Sequence, residues 1–273
     1  MKTIAILYDF DKTLSPRDME EYSLIPSLGY ETSGAFWSEV TQLSKKNMMD
    51  PISAYLYLLQ KKYEDEGKPL RREEFEGKSL ELFPGVTTWF QRINEYGKEK
   101  GLDVEHYIIS SGMSEVIEAC PIAKEFKKIY ACRYYYDEKG EARWPARIVN
   151  YTTKTQYVFR INKGVLDESN DNGLNEYVDP KERRVPFERM IYIADGYTDV
   201  PCMRLVKQYG GKSIAVYDSN DEVAKTLIKD GRVNFMAKAD YTQGSRMETL
   251  VKQILDHMHC DIVLNEQEGV KDE

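Results

Sequence analysis

Ile4-Ala5-Ile6-Leu7-Tyr8-Asp9-Phe10-Asp11-Lys12-Thr13-Leu14 joins an apolar run to two aspartates one residue apart. A short apolar run bounded by polar residues reads as a buried strand of a parallel sheet. In open α/β sheets, ligands bind just beyond the carboxyl ends of such strands. Asp9 and Asp11 therefore crowd one crevice and repel each other unless a cation neutralises them. A spare carboxylate there is free to act as nucleophile or general acid, which points to phosphoryl chemistry.

Two later strand ends carry matching polar groups. His106-Tyr107-Ile108-Ile109 leads into Ser110-Ser111-Gly112 ahead of a helix. A hydroxyl and backbone N–H groups at that point make a phosphate cradle, with the choice between Ser110 and Ser111 left open. Ile191-Tyr192-Ile193-Ala194 leads into Asp195-Gly196-Tyr197-Thr198-Asp199, which adds two carboxylates. Oxygen ligands with no His or Cys nearby favour Mg²⁺. Lys154, opening a helix, can supply the phosphoryl oxygens with a donor. Lys163 is its rival, but at a helix end next to Gly164 it suits the macrodipole.

Between the first two of these strand ends, residues 16–83 read as helical. Ser15-Pro16-Arg17-Asp18 offers an N-cap, a proline at the first helical position and a capping-box acid. Ser33 is placed to cap a helix carrying Phe36, Trp37, Val40 and Leu43. Asp50-Pro51 repeats the N-cap device ahead of Ile52, Tyr55, Leu56, Leu59 and Tyr63 at helical spacing. A fourth helical stretch is expected over 71–82. Such an insert reads as a lid. From 84 onward strands and helices alternate, with strands at 104–110, 190–194, 213–216 and 233–236. A hairpin is expected around Asp137-Glu138-Lys139-Gly140 and a long polar loop over 164–186. The expected fold is α/β, a Rossmann-like doubly wound parallel sheet with an inserted α-helical cap and a β-hairpin. Residues 1–15 and 84–273 form the core, and 16–83 the cap.

Composition narrows the partners. Lys and Arg number 38 against 46 acidic residues, a net charge of −8 that disfavours nucleic acid and anionic membranes. No apolar run is long enough to span a bilayer, and the segment after Met1 carries no secretory signal. Four scattered cysteines without a Cys-x-x-Cys pair read as reduced thiols, so a cytoplasmic location is expected. Oligomeric state is open.

Asp-Phe-Asp-Lys-Thr-Leu, Ser-Ser-Gly, a helix-opening lysine and Asp-Gly-x-x-Asp, in that order, resemble the four motifs of the haloacid dehalogenase superfamily. The helical insert looks like a C1 cap, and the hairpin before Lys154 is similar to that of phosphoserine phosphatase-like members. The resemblance implies a Mg²⁺-dependent phosphatase acting on a small phosphorylated metabolite through an aspartyl-phosphate. It makes Asp9 the nucleophile and Asp11 the general acid and base. Asp9, Asp11, Asp195 and Asp199 surround the metal, with Asp11 contributing its backbone carbonyl and Asp199 supporting Asp195. Ser111, Gly112 and Lys154 bind phosphate, and Asp18 stands near the substrate-binding glutamate of the phosphoserine phosphatases. The chain departs from those enzymes in having no assignable cap arginine. A phosphotransferase on the same scaffold and a non-catalytic phosphate-binding module are the alternatives.

Three weaker patterns read as structural. Gly211-Lys212-Ser213 and Gly77-Lys78-Ser79 lack the upstream glycine of a P-loop. His257, His259 and Cys260 do not share one helix face.

Overall fold

The computed structural model describes residues 1–22, 24–75 and 80–267. The opening motif forms β1 (Lys2–Tyr8), with Ile4 to Tyr8 fully buried. A strand apolar on both faces needs cover on both, and β1 lies at the centre of a seven-stranded sheet. The other strands are β2 (Leu102–Met113), β3 (Phe126–Tyr136), β4 (Ala142–Arg147), β5 (Met190–Ala194), β6 (Lys212–Tyr217) and β7 (Phe235–Lys238). Their order is β4-β3-β2-β1-β5-β6-β7, and every pair is parallel except the β3–β4 hairpin. The chain winds outward from β1 through β2 and β3, then returns to β1 on its other edge as β5. That reversal is where doubly wound sheets open a crevice. Tyr8 pairs with Ile108 on one side and Ile193 on the other, so the polar residues following all three share one end of the sheet.

Helices cover the sheet and fill the insert. Before β2 come α1 (Leu24–Ser27), α2 (Ser33–Asn47), α3 (Pro51–Asp65) and α4 (Val86–Glu99). After it come α5 (Ser114–Glu118), α6 (Lys154–Lys163), α7 (Asp171–Asn175), α8 (Val200–Gln208), α9 (Glu222–Lys229) and α10 (Arg246–Gln267). The Asp50-Pro51 device works as read: Asp50 Oδ1 accepts the N–H of Ile52 at 2.9 Å and of Ser53 at 3.2 Å. Its second oxygen accepts Asn150 Nδ2 at 3.0 Å, which ties α3 to the segment just before α6. The insert leaves and returns at one place, since Leu14 O accepts Phe83 N–H at 2.9 Å. Tyr134 OH donates to Leu56 O, and Ala142 N–H donates to Leu70 O, so the hairpin also braces the insert.

Several local expectations are corrected. No capping box forms at 15–18, because Ser15 Oγ donates to Arg17 O and pairs with Tyr22 OH. A 3-10 turn over Met19–Tyr22 follows instead of a long helix. The cap of α2 is Thr32, whose Oγ1 accepts Ala35 N–H, not Ser33. Of the stretch 71–82, a 3-10 turn at Arg72–Glu74 is described, while Gly77, Lys78 and Ser79 lie outside the described residues, as do 268–273. β2 runs on through Ser110, Ser111 and Gly112 to Met113 rather than stopping at 110. The 164–186 segment is not structureless: Asn170 caps α7, and Arg160 donates to the carbonyls of Asp167 and Glu168. His257 pairs with Asp261 on an exposed helix face. Among the described residues no helix is long and apolar enough to cross a membrane.

Candidate active site

Asp9 follows β1 directly, and its N–H donates to Ile193 O at 3.0 Å, which locks the start of the loop to β5. Asp9 Oδ1 accepts the Phe10 N–H at 2.8 Å and lies 3.2 Å from Lys154 Nζ. Lys154 is almost wholly buried at the start of α6 and also donates to Asp199 Oδ1 at 2.8 Å. Asp199 takes two further donors, Tyr192 OH at 2.6 Å and Thr198 Oγ1 at 2.8 Å. Asp9, Asp195 and Asp199 each offer a carboxylate oxygen within 4.8 Å of the others. One lysine among three clustered acids leaves the group short of positive charge.

The ionisation of the site follows from that shortage. Burial, then repulsion from Asp199, holds the Asp9 carboxyl well above the ordinary carboxylate range against the pull of Lys154. Burial and the same neighbour push Asp195 up to about 6. Desolvation works against the Lys154 ammonium, but Asp199 and Asp9 outweigh it and keep the charged form favoured. Asp11 is raised by burial and next by Glu20, so a proton is held there more tightly than on a free aspartate. Its Oδ1 accepts Met19 N–H at 2.8 Å, a contact from the first turn of the insert.

Ser110 and Ser111 both line the cleft but differ in their partners. Ser110 Oγ accepts the Gly112 N–H at 3.1 Å and is thereby used inside the loop. Ser111 Oγ is buried with no partner. Gly112 stands where a Cβ would lie 2.2 Å from Met19 Cε and 3.0 Å from Asp11 Oδ2, so a side chain there would crowd both. Lys163, the rival lysine, donates to the carbonyls of Leu174 and Glu176 and anchors α7.

These groups open onto one cleft of about 460 Å³. Asp9, Asp11, Asp18, Ser111, Gly112, Lys154 and Asp195 all line it, whereas Asp199 lies beneath. Asp18 is present but its carboxylate is held by Lys12 at 2.8 Å. Asp18, Glu20, Trp37, Ile52 and Tyr55 form the part of the wall contributed by the insert, and among the described residues none from 164–186 lines it. Glu20 was not legible in the sequence. It lies on a 3-10 turn too short to show periodicity, and only its place beside the motif marks it. It is buried, accepts Tyr55 OH at 2.9 Å, and its carboxyl is pushed up to about 7 by burial and by Asp18. Trp37 and Tyr55 read from spacing as helix packing, and both also face ligand space.

The family model for haloacid dehalogenase-like hydrolases matches residues 6–204, a span that holds every motif above. The chain belongs to the haloacid dehalogenase-like hydrolases. An uncharacterized protein of Borreliella burgdorferi is 31% identical over 273 residues, covering 89% of this chain and 93% of that one. Among solved structures, a probable phosphoserine phosphatase from Vibrio cholerae superposes with a TM-score of 0.56 at 14% identity, covering 100% of this chain and 68% of that one. A hydrolase of the family from Salmonella enterica serovar Typhi gives 0.54 at 16% identity, with 92% and 70% covered. A phospho-aspartyl intermediate analogue of phosphoserine phosphatase gives 0.52 at 16%, with 93% and 99% covered. At such identities the likeness is one of fold.

Proposed function

We propose that this hydrolase is a Mg²⁺-dependent phosphatase that cleaves a small phosphomonoester through an aspartyl-phosphate on Asp9. The observation that carries the reading is the cluster of buried Asp9 and Asp199 with half-buried Asp195, tied by Lys154 and beside an unpartnered Ser111 hydroxyl. Five acids and two lysines line the cleft, an imbalance that repels a phosphate dianion unless a cation enters with it. The donors are all oxygen, which suits Mg²⁺. Asp9, Asp195 and the Asp11 backbone carbonyl would hold the ion, with Asp199 in support. Bound there, it would neutralise the acids and draw charge from the phosphoryl oxygens.

The rest is the work of side chains. Lys154 and the Ser111 hydroxyl bind the phosphoryl oxygens. An oxygen of Asp9 attacks phosphorus while the ester P–O bond breaks, and Asp11 gives its proton to the departing alcohol. Asp11, now ionised, takes a proton from water as that water attacks phosphorus, which frees phosphate and restores Asp9. The raised affinity of Asp11 for a proton favours the first step, and the Met19 N–H orients it. Residues 16–83 act as a cap over the cleft, and 1–15 with 84–273 as the catalytic core. A small phosphorylated metabolite is the substrate class, and the cytoplasm the expected setting.

The direct test is phosphate release from p-nitrophenyl phosphate with Mg²⁺ and with excess chelator. Turnover is expected with the metal and none in chelator. Equal rates in both would overturn the metal requirement.

A further inference from the structure

The phosphate end of the cleft is built from the ends of β1, β2 and β5, and the insert supplies a large part of the wall left for the leaving group. Glu20 there is 3% exposed, and no basic side chain pairs with it among the described residues. The Tyr55 hydroxyl, a backbone hydrogen bond and the more distant Lys12 favour its charge, but burial and Asp18 outweigh them, and a buried carboxylate so poorly compensated attracts a cation. The walls beside it are aromatic and apolar. Trp37 and Tyr55 have ring centroids 5.5 Å apart and planes inclined at 46°, with Ile52 adjoining on the cleft surface. Aromatic rings and a carboxylate on one cleft wall are the surroundings that suit a methylated ammonium, whose methyl groups pack on rings while its charge meets the carboxylate.

The basic groups of the cleft exclude a second type of ligand. Lys12 and Lys154 are the basic residues that line it among the described residues. Lys154 is taken by Asp9 and Asp199, and Lys12 by Asp18 at 2.8 Å. Neither is left to meet a substrate carboxylate at the insert end. A leaving group carrying both an ammonium and a carboxylate would place its carboxylate close to Glu20, with the nearby Lys12 already paired to Asp18.

We propose that the cleft selects phosphomonoesters of amino alcohols that carry a quaternary ammonium and no carboxylate, with Glu20, Trp37 and Tyr55 as the residues that read the cation. This rests on the phosphatase reading and adds the leaving group to it. The cation neutralises Glu20 at one end of the cleft, as a metal ion would neutralise Asp9 and Asp195 at the other.

The test compares kcat/KM for three esters: phosphocholine, its uncharged carbon isostere 3,3-dimethylbutyl phosphate, and O-phosphoserine, with p-nitrophenyl phosphate as a control. Phosphocholine is expected to exceed the isostere by about tenfold or more, and O-phosphoserine by a larger factor. In Glu20→Gln the ratio of phosphocholine to isostere should fall toward one. Trp37→Leu should raise KM for phosphocholine more than for the isostere. Equal efficiency on phosphocholine and the isostere in the unmodified protein, with p-nitrophenyl phosphate still cleaved, would overturn the inference and leave the phosphatase standing. A preference for O-phosphoserine would overturn it as well. Failure to cleave any of the four esters would remove the phosphatase reading and this inference with it. The ratio in the unmodified protein decides the matter even if a variant fails to fold.

Discussion

Tyr8 and Asp9 are neighbours at the end of β1, both buried, and their polar atoms meet opposite conditions. Trp89 Nε1–H can only donate, and it donates to Tyr8 OH at 2.9 Å. Tyr8 must then give its own proton to His106 Nδ1 at 3.0 Å, which leaves Nε2 to donate to Asn94 Oδ1 at 2.9 Å. Every donor in that chain has an acceptor and no member is charged. Burial accordingly lowers the His106 pKa to about 3. One residue along, Asp9 joins acids whose charges a single buried lysine does not balance. Satisfied polar clusters fix a core, whereas an unsatisfied one in a cleft marks a place where something else must bind.

Asp9→Asn attacks the unbalanced side most directly. Turnover of p-nitrophenyl phosphate should fall below detection, because an amide cannot form the acyl-phosphate. The same change removes a repelled charge, so in chelator the variant should be more stable than the parent by about 0.5–2 kcal/mol in denaturant unfolding. A variant both inactive and destabilised would show that the cluster is structural.

Lys154→Met removes the cation buried among Asp9 and Asp199. The rate should drop by about 10²- to 10³-fold, the usual effect of losing a group that stabilises transition-state charge. Its unfolding midpoint should fall too, since Asp9 and Asp199 then face each other unscreened. Steady-state kinetics and a melting curve on one preparation check both.

On the satisfied side, Trp89→Phe keeps an aromatic ring, deletes the donor and leaves a small void. Stability should fall by about 1–3 kcal/mol while kcat per folded molecule stays within error. A large loss of kcat would mean that the neutral network also positions Asp9.

The smallest effect is in pH. His106 stays neutral in the fold down to about 3, whereas in the unfolded chain it takes up a proton near the ordinary histidine value of about 6.5. The unfolded state thus binds more protons between those values, and stability falls as pH falls through that window. His106→Gln removes this contribution. Compared at pH 6 and pH 5, the variant should close on the parent by about 1 kcal/mol. An unchanged gap would contradict the assignment.

What could be read from the sequence was whatever is decided locally. The apolar run of β1 and the carboxylates after it needed only strand chemistry and the rule for where parallel sheets bind ligands. Asp50-Pro51 declared its helix because cap and proline act on the next few residues. The failures came where a distant partner decides. Ser15 was drawn to Tyr22 and Asp18 to Lys12, so the apparent capping box dissolved. Which of Ser110 and Ser111 accepts the Gly112 N–H depends on the local backbone path, and the burial of Glu20 on which acid the insert folds inward. Tyr192 sat unremarked within a strand, yet its hydroxyl helps to hold Asp199.

The measurement closest to the central claim is an acid quench during turnover of p-nitrophenyl phosphate with Mg²⁺, followed by peptide mapping. The expected result is a hydroxylamine-labile phosphate on the peptide containing Asp9, absent when Asp9→Asn is treated alike. Steady release of phosphate by the Asp9→Asn protein, with no phosphopeptide in the parent, would contradict a covalent role for Asp9.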